Sequence, residues 1–337
     1  MTHQITIANT DHHWSAEPNQ SLLDAALVSG IPLPHECRSG GCGTCRVRIV
    51  SGEVRYPDDE MPFGIDEAEV AAGFALACQA MPVSTVVLAA PDGLLSPASV
   101  QCAEGQVMRV REVAPDVFHL VLNLDDEVTF RPGQYANILC ADGVRRSFSM
   151  ASTPRRQEID FYIRRLDGGL FTDRLLPRLR QGDRLPLELP HGTFRLHAED
   201  YQPLLLLATG TGIAPIRAML ESLLDNPDCP PVSLYWGMRT QADLFLDDEI
   251  RSWAGRLYDF TYVPVLSRPL DGWSGRTGHV QQAVATDFDD LSEHAVYLCG
   301  SPQMLRDARG VVSRLGASVD HIHAEGFTLQ TDTARAG

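Results

Sequence analysis

The sequence predicts three successive domains of different fold class: an α+β domain, a small antiparallel β-barrel and an α/β domain with a parallel sheet. The first prediction depends on a cysteine- and glycine-rich loop, ECRSGGCGTC at 36–45, that lies between a helical and an extended segment. The second depends on short, evenly spaced strand patterns over 105–196, and the third on apolar strands that alternate with helical patterns from 203 onward. With 337 residues, 44% of them hydrophobic, the chain is long enough for more than one core.

The first domain is predicted from three strand patterns and one helix. Residues 4–8, 46–50 and 83–89 are rich in alternating or β-branched apolar residues, as strands are. The segment SLLDAALV predicts a helix with Ser21 or Asn19 as its N-cap and an end near Gly30. The expected boundaries are 1–93 for this domain, 94–102 for a Pro- and Gly-containing linker, 103–198 for the barrel domain and 199–337 for the α/β domain.

Composition and charge exclude several classes of partner. The formal net charge is −16, and every basic residue is Arg. This balance argues against nucleic acid and anionic membranes as partners. No apolar run approaches the length of a membrane span and the first residues lack a signal-peptide pattern, so we expect a cytoplasmic protein whose cysteines are ligands or core residues. Acidic residues concentrate between Asp58 and Glu69, where they form either a solubilising face or a docking patch for a basic partner.

The cysteine loop has the spacing of a metal site. Cys37, Cys42 and Cys45 follow the pattern C-x4-C-x2-C, and 32 residues separate Cys45 from Cys78. Four thiolates suit a pair of irons or a zinc ion, and a set of buried or disulfide-linked cysteines is a further alternative. The intervening glycines favour a cluster, because they let backbone N–H groups approach anionic sulfurs.

The second domain carries residue types that a flavin needs. In RRSFSMAS (145–152), Arg146 supplies a cation for phosphates, Phe148 a flat side chain for the ring and Ser149 a small hydroxyl near N5. Arg146 and Phe148 are expected to point the same way along a strand. The segment GGLFT at 168–172 predicts a Gly-rich turn that opens a helix and holds phosphates.

The third domain begins with a strand, a glycine turn and a helix in LLLLATGTGIAPIRAML, residues 204–220. Gly210 and Gly212 would let the backbone approach a pyrophosphate at the helix N-terminus, and Pro215 suits the first turn of that helix. The third glycine of the usual dinucleotide-binding fingerprint is absent. Cys299 and Gly300 end a later apolar strand, at the sheet edge where α/β proteins bind ligands.

Taken together, these motifs resemble a known family over nearly the whole chain. Residues 1–93 resemble a plant-type [2Fe–2S] ferredoxin domain of the β-grasp type, and the remainder resembles the flavin and nicotinamide domains of the ferredoxin–NADP reductase superfamily. This arrangement is that of the three-domain reductase components of bacterial oxygenases. The resemblance implies Cys37, Cys42, Cys45 and Cys78 as cluster ligands. It implies FAD and a nicotinamide cofactor bound by Tyr135, Arg146, Phe148, Ser149, Ile163, Gly169, Thr172, Thr209, Gly210, Gly212, Pro215, Arg239, Asp243, Cys299, Gly300 and Phe327.

The same resemblance implies an activity. Hydride would pass from NADH to FAD with Ser149, Cys299 and Glu325 as catalytic residues, and electrons would leave singly through the cluster to a terminal oxygenase or another iron-containing acceptor that docks near the acidic domain. NADH is favoured over NADPH by the acidic composition and by Asp243, which could accept the ribose hydroxyls, whereas Arg239 could bind a 2′-phosphate. Two alternatives remain: a reductase for an iron–sulfur nucleotide-sugar dehydrase, and a zinc-binding regulatory module.

Overall fold

The computed structural model describes residues 2–31, 33–35, 37–89, 100–140, 143–154, 157–197 and 202–327. They divide into two compact units. The first comprises the described residues of Met1–Pro97, Ser301–Arg314 and Ala324–Gly337, and the second those of Ala98–Gly300 and Leu315–His323. Most of the predicted linker 94–102 lies outside the described residues, and Gln101 already belongs to a strand.

The first unit contains a five-stranded mixed sheet with a helix packed on it, which is the predicted ferredoxin-like fold. The strand order is β2-β1-β7-β3-β5, with β1 and β7 parallel. Its elements are β1 His3–Ile7, β2 His13–Ala16, α1 Leu22–Val28, β3 Arg46–Ser51, β4 Val54–Arg55, α2 Glu67–Ala71, β5 Phe74–Leu76, β6 Met81–Pro82 and β7 Val86–Leu88.

Helix α1 begins where the sequence predicts. The Ser21 hydroxyl accepts a hydrogen bond from the Asp24 N–H at 3.0 Å, so Ser21 rather than Asn19 is the N-cap. Leu22, Leu23, Ala25 and Ala26 are buried against the sheet. Because α1 ends at Val28 and β3 begins at Arg46, the cysteine loop spans the connection between them.

The second unit begins with the predicted antiparallel, barrel-like sheet. Its strand order is β11-β10-β13-β8-β9-β12. The strands are β8 Gln101–Ala114, β9 Val117–Leu124, β10 Tyr135–Leu139, β11 Arg145–Ser149, β12 Glu158–Arg164 and β13 Arg184–His191. Inward-facing apolar side chains such as Leu120, Ile138, Phe161 and Leu187 fill the interior of the sheet.

A parallel sheet of order β17-β16-β15-β14-β18-β19 follows, as the near-continuous apolar strands predict. Its strands are β14 Leu204–Thr209, β15 Val232–Met238, β16 Phe260–Leu266, β17 Arg276–Thr277, β18 Ala295–Gly300 and β19 Ile322–Gly326. The helices are α3 Ile213–Leu223, α4 Asp247–Ser252, α5 Val280–Asp287 and α6 Pro302–Arg314. The unit boundary leaves α6 and the end of β19 in the first unit.

The described part of the chain contains no helix long and apolar enough to cross a lipid bilayer.

Candidate cluster, flavin and nicotinamide sites

The four predicted cluster ligands lie together in the first unit. Cys42, Cys45 and Cys78 are buried, whereas Cys37 is partly exposed. The Cys37 and Cys42 thiols are hydrogen-bonded to each other, and so are those of Cys45 and Cys78. The eight cysteines form no disulfide with any residue that the structure describes. The disulfide alternative is therefore not realised in this loop, and the thiols form two pairs.

The two pairs of thiols match the ligand set of a two-iron cluster. A [2Fe–2S] cluster needs two cysteines for each iron. The hydrogen bond with Cys42 lowers the pKa of the Cys37 thiol to about 4, and the bond with Cys45 likewise lowers the pKa of Cys78. The same hydrogen bonds raise the pKa of the partner thiols Cys42 and Cys45, so each pair titrates as a coupled unit.

The loop also presents backbone donors to sulfur, as its glycines predict. The Ser39 N–H donates to the Cys37 sulfur at 3.4 Å, and the Gly40 N–H donates toward Cys78. Gly40 and Gly43 have φ angles of +76° and +83°, in the left-handed region that side chains disfavour. The loop therefore fits an anionic cluster, for which N–H groups lower the cost of charge on sulfur.

The predicted flavin residues lie on two adjacent strands. Strands β10 and β11 pair so that Tyr135 lies opposite Ser149, and Tyr135 also stacks on His191 of β13 with ring centroids 5.4 Å apart. Arg146 and Phe148 occupy alternate positions of β11 and share one face, as predicted. The Phe148 ring lies 5.3 Å from that of Phe171. This edge of the barrel thus offers aromatic, hydroxyl and guanidinium groups together.

The predicted phosphate turn has a tight geometry. Gly169 immediately precedes one turn of π-helix, Leu170–Leu175, rather than an α-helix. A Cβ on Gly169 would lie 2.3 Å from the Thr172 hydroxyl and 2.9 Å from the Leu166 carbonyl, so only glycine fits. The Thr172 hydroxyl accepts a bond from the Leu166 N–H. The remaining residue in the predicted flavin set, Ile163, is 1% exposed and packs in the barrel core.

Several of the residues predicted to bind nicotinamide converge at the carboxyl edge of the parallel sheet. Strands β14 and β18 are neighbours, and the turn Gly210–Gly212 that follows Thr209 lies directly against the end of β18. A Cβ on Gly212 would lie 2.3 Å from the Cys299 carbonyl oxygen and 3.0 Å from the Gly300 nitrogen. The GTG turn and the Cys-Gly pair therefore form one surface, and Pro215 lies in the first turn of the adjoining α3.

Helix α3 also fastens this surface to the flavin strand. Arg217 donates to the Ala151 carbonyl at 2.5 Å, and the Glu221 carboxylate accepts from the Thr153 N–H at 2.8 Å. Residues 151–153 follow Ser149 in the chain, so these bonds fix the end of β11 relative to the pyrophosphate turn. Neither residue is among the predicted site residues, although an arginine on the apolar face of IAPIRAML indicates a buried polar contact.

The two residues predicted to select the ribose lie just after β15. Arg239 is exposed. The Asp243 carboxylate accepts hydrogen bonds from the Thr240 N–H and hydroxyl at 2.8 and 2.9 Å, in a capping box. Asp243 is therefore held in one orientation, while Arg239 projects into solvent.

The two predicted residues nearest the C-terminus belong to the first unit. Glu325 is 3% exposed within β19, and Phe327 follows that strand with 36% exposure. Their roles toward the flavin stay predictions.

Comparisons with known proteins agree with this division of the sites. A 2Fe-2S iron-sulfur cluster binding domain matches residues 5–83, an oxidoreductase FAD-binding domain matches 104–196 and an oxidoreductase NAD-binding domain matches 206–310. The reductase component 1 of terephthalate 1,2-dioxygenase from a Comamonas species is 32% identical, with 97% of this chain and 98% of that protein covered. This chain belongs to the family of oxygenase reductase components. The P5 protein of phenol hydroxylase from Acinetobacter pittii is likewise 32% identical, covering 99% of this chain and 97% of that protein.

A solved structure supports the same membership of the oxygenase reductase family. The cytochrome P450 reductase GcoB of Amycolatopsis is 30% identical to this reductase, with a TM-score of 0.72 and coverage of 97% of this chain and 99% of that one. This reductase is thus an NAD(P)H-dependent flavin and iron–sulfur oxidoreductase.

Proposed function

We propose that this reductase takes electrons from NADH and delivers them singly to a cytoplasmic terminal oxygenase that docks on its ferredoxin domain. FAD, when bound, accepts the two electrons of a hydride, and the [2Fe–2S] cluster passes electrons on one at a time. The observation that carries the proposal is that one chain combines four paired thiols with a complete flavin and nicotinamide module. The pairing of these four cysteines as thiols supports a reducing compartment.

The chain's own residues position the reactants. Ser149 is 8% exposed at the end of β11, and Cys299 is fully buried at the end of β18. The hydrogen bonds that Arg217 donates to Ala151 and Glu221 accepts from Thr153 hold the segment after β11 against α3, and the Gly212 turn that precedes α3 packs on the end of β18. The flavin ring would lie against β10 and β11. The surface formed by the GTG turn and by Cys299 and Gly300 would bring the nicotinamide to it. The residues thus orient the two rings and exclude water.

The docking surface that we propose surrounds the exposed edge of the cluster loop. Cys37 is the most exposed of the four cysteines. Pro62 packs on the loop, since a Cβ on Gly40 would lie 2.8 Å from the Pro62 Cβ. Its neighbours Met61 and Phe63 are 42% and 59% exposed. Acidic side chains that are exposed nearby in the chain are Asp58, Asp59, Glu60 and Glu67.

One member of the predicted acidic patch does not belong to this surface. Glu69 is 1% exposed, because its carboxylate is paired with two arginines inside the unit. Met61 and Phe63 offer a partner a hydrophobic centre, and the remaining exposed carboxylates form a negative rim around it. An oxygenase with basic residues around its electron-entry site complements this surface.

Replacement of one cluster ligand tests the order of electron transfer. We expect Cys42→Ser to abolish NADH-dependent reduction of cytochrome c, which accepts from the cluster, and to leave ferricyanide reduction by the flavin largely intact. Cys102→Ser, an exposed cysteine on β8, is the matched control and should retain both activities. Equal loss of both activities in a folded Cys42→Ser protein that retains FAD would contradict the proposed order.

A further inference from the structure

A buried trio of charged side chains lies beside the cluster loop. The Glu69 carboxylate, 2% exposed, accepts a bond from the Arg46 guanidinium at 2.6 Å and is paired with that of Arg309 at 3.2 Å. Arg46 follows the ligand Cys45, and Arg309 lies on α6 with only 4% of its side chain exposed. Three groups of this kind are costly to bury, so their presence calls for a compensating function.

Arg309 places a positive charge in the interior of the unit. Its side chain is 4% exposed and faces the buried Glu69 carboxylate, and Asp66, which caps α2 and is half-buried, adds a weaker negative charge. Burial lowers the pKa of Arg309, although Glu69 opposes this effect. Among the described residues, the Nε atom of Arg309 has no hydrogen-bond partner. A negative group close by would offset this charge. A [2Fe–2S] cluster is such a group, because the negative charges of four thiolates and two sulfides exceed the positive charges of two ferric ions.

Arg309 is also joined to the loop itself. Its guanidinium donates to the Gly64 carbonyl at 2.5 Å, and the Gly64 N–H donates to the Gly40 carbonyl at 2.7 Å. A Cβ on Gly43 would lie 3.5 Å from Nη2 of Arg309. The cluster loop is therefore supported on one side by Gly64, and Arg309 fixes the position of Gly64.

A second contact ties the same region of the chain to a ligand residue. The Gly326 N–H, at the end of β19, donates to the Cys42 carbonyl at 3.0 Å. The ideal Cβ of Gly326 lies 3.0 Å from a methyl group of Leu305 on α6 and 3.1 Å from the Cys42 Cα, so the end of β19 packs tightly between α6 and the cluster loop. Helix α6 and the end of β19 are thus structural parts of the cluster-binding unit.

We propose that Arg309 is a positioning residue for the cluster: it holds the loop through Gly64 and raises the cluster's reduction potential through its buried positive charge. A positive charge favours the reduced cluster, which carries one more electron than the oxidised one. The proposal requires only that the four cysteines bind the [2Fe–2S] cluster, and it does not depend on which oxygenase accepts the electrons.

Redox titration of the purified holoprotein tests this role. Arg309→Met should lower the reduced-to-oxidised ratio of the cluster at a fixed potential about tenfold, equivalent to about 59 mV for a one-electron couple, and leave the flavin potential unchanged. Arg309→Lys should restore most of the potential. Arg314→Met, an exposed arginine on the same helix, is the matched control and should titrate as wild type.

Two further variants separate charge from packing. Glu69→Gln keeps the capping bond to the Asp66 N–H but removes the negative charge, so it should raise the cluster potential. The double variant Arg309→Met, Glu69→Gln should return it toward wild type, because the trio's net charge is restored. If Arg309→Met fails to retain iron, the other two titrations still test the proposal. It then requires a raised cluster potential in Glu69→Gln and a potential close to wild type in Arg309→Lys.

Unchanged cluster potentials in Arg309→Met and Glu69→Gln proteins that show a normal electron paramagnetic resonance signal would overturn the proposal. So would an equal shift of the cluster and flavin potentials. Both readouts are independent of any protein acceptor, so a failure here is distinguishable from a wrong assignment of the oxygenase partner.

Discussion

Gly212 is a single position on which the nicotinamide surface depends. Its φ angle is ordinary, so glycine is required there by space: a Cβ would meet the Cys299 carbonyl oxygen at 2.3 Å. Backbone at this distance cannot move aside cheaply, in contrast to the end of a flexible side chain.

We therefore expect Gly212→Ala to destabilise the protein by about 1–3 kcal/mol and to raise the KM for NADH, because the turn must move away from β18. Gly310→Ala on α6 is the matched control, since its new methyl group would contact only the Arg314 side chain, and it should stabilise by about 0.5–1 kcal/mol. Thermal unfolding and steady-state kinetics measure both effects. Equal behaviour of the two variants would show that the close approach at Gly212 is unimportant.

Asp243 is the residue that we expect to select NADH. Its carboxylate is oriented by Thr240, and a fixed carboxylate can accept hydrogen bonds from ribose hydroxyls but repels a 2′-phosphate. Asp243→Ala should raise the KM for NADH about tenfold and should not raise that for NADPH, because the repulsion of the 2′-phosphate is removed. Thr240→Val keeps the carboxylate while it removes one of its bonds, and should show a smaller change in the same direction. If both constants stay at wild-type values, Asp243 does not contact the cofactor.

At the scale of elements, a polar cluster connects the barrel to α3. Asp160 of β12 lies 3.6 Å from the ring of His119 and 3.8 Å from the guanidinium of Arg217, which also pairs with Glu249 at 2.6 Å. His119 stacks on Tyr162 at 4.6 Å. Burial alone would raise the pKa of Asp160, but His119 and Arg217 together lower it below its usual value.

The lowered pKa of Asp160 predicts how the stability of the protein depends on pH. A carboxyl whose pKa is depressed by folding stabilises the protein above its unfolded pKa, about 3.9 for Asp, and loses that effect as the pH falls through the folded pKa. Asp160→Asn should therefore reduce the free energy of unfolding by about 1–3 kcal/mol at pH 7 and by progressively less below about pH 4. Urea denaturation of both proteins at several pH values measures this difference, and a pH-independent difference would contradict it.

The elements themselves were largely predictable, because their patterns are local. The apolar run Leu204–Thr209 indicates a buried parallel strand, and SLLDAALV indicates a capped helix; both are confirmed. The short strand β2 was missed, since His13–Ala16 contains few apolar residues, and the π-turn at Leu170–Leu175 was expected to be an ordinary helix. Contacts such as Arg217 with Ala151 join distant segments, and no local pattern encodes them.

The same limit applies to the candidate site. The spacing of the four cysteines predicted that they lie together, because one loop carries three of them. The pairing of Glu69 with Arg309 was not predictable, since the acidic segment 58–69 looks uniformly solvent-exposed in the sequence.

At the scale of the whole molecule, charge should govern association with the acceptor. The chain has a net charge of −16, and the carboxylates from Asp58 to Glu60 are exposed near the cluster loop. We expect kcat/KM for a basic protein acceptor to fall about tenfold between low and high salt, because the Debye length shrinks from about 30 Å at 0.01 M to about 3 Å at 1 M. Reduction of a neutral quinone is the control and should change little. A kcat/KM for the protein acceptor that does not depend on salt would show that electrostatic attraction does not govern docking.

The bond from Arg309 to Gly64 spans 245 positions of the chain. During synthesis the four cysteines leave the ribosome long before α6 exists, so a nascent first domain lacks both this support and the bond from Gly326 to Cys42. Iron that enters the loop at that stage would bind to an incompletely braced site. We therefore expect maturation of the cluster to depend on completion of the polypeptide, and a chain truncated before α6 to release its iron more readily than the full-length one.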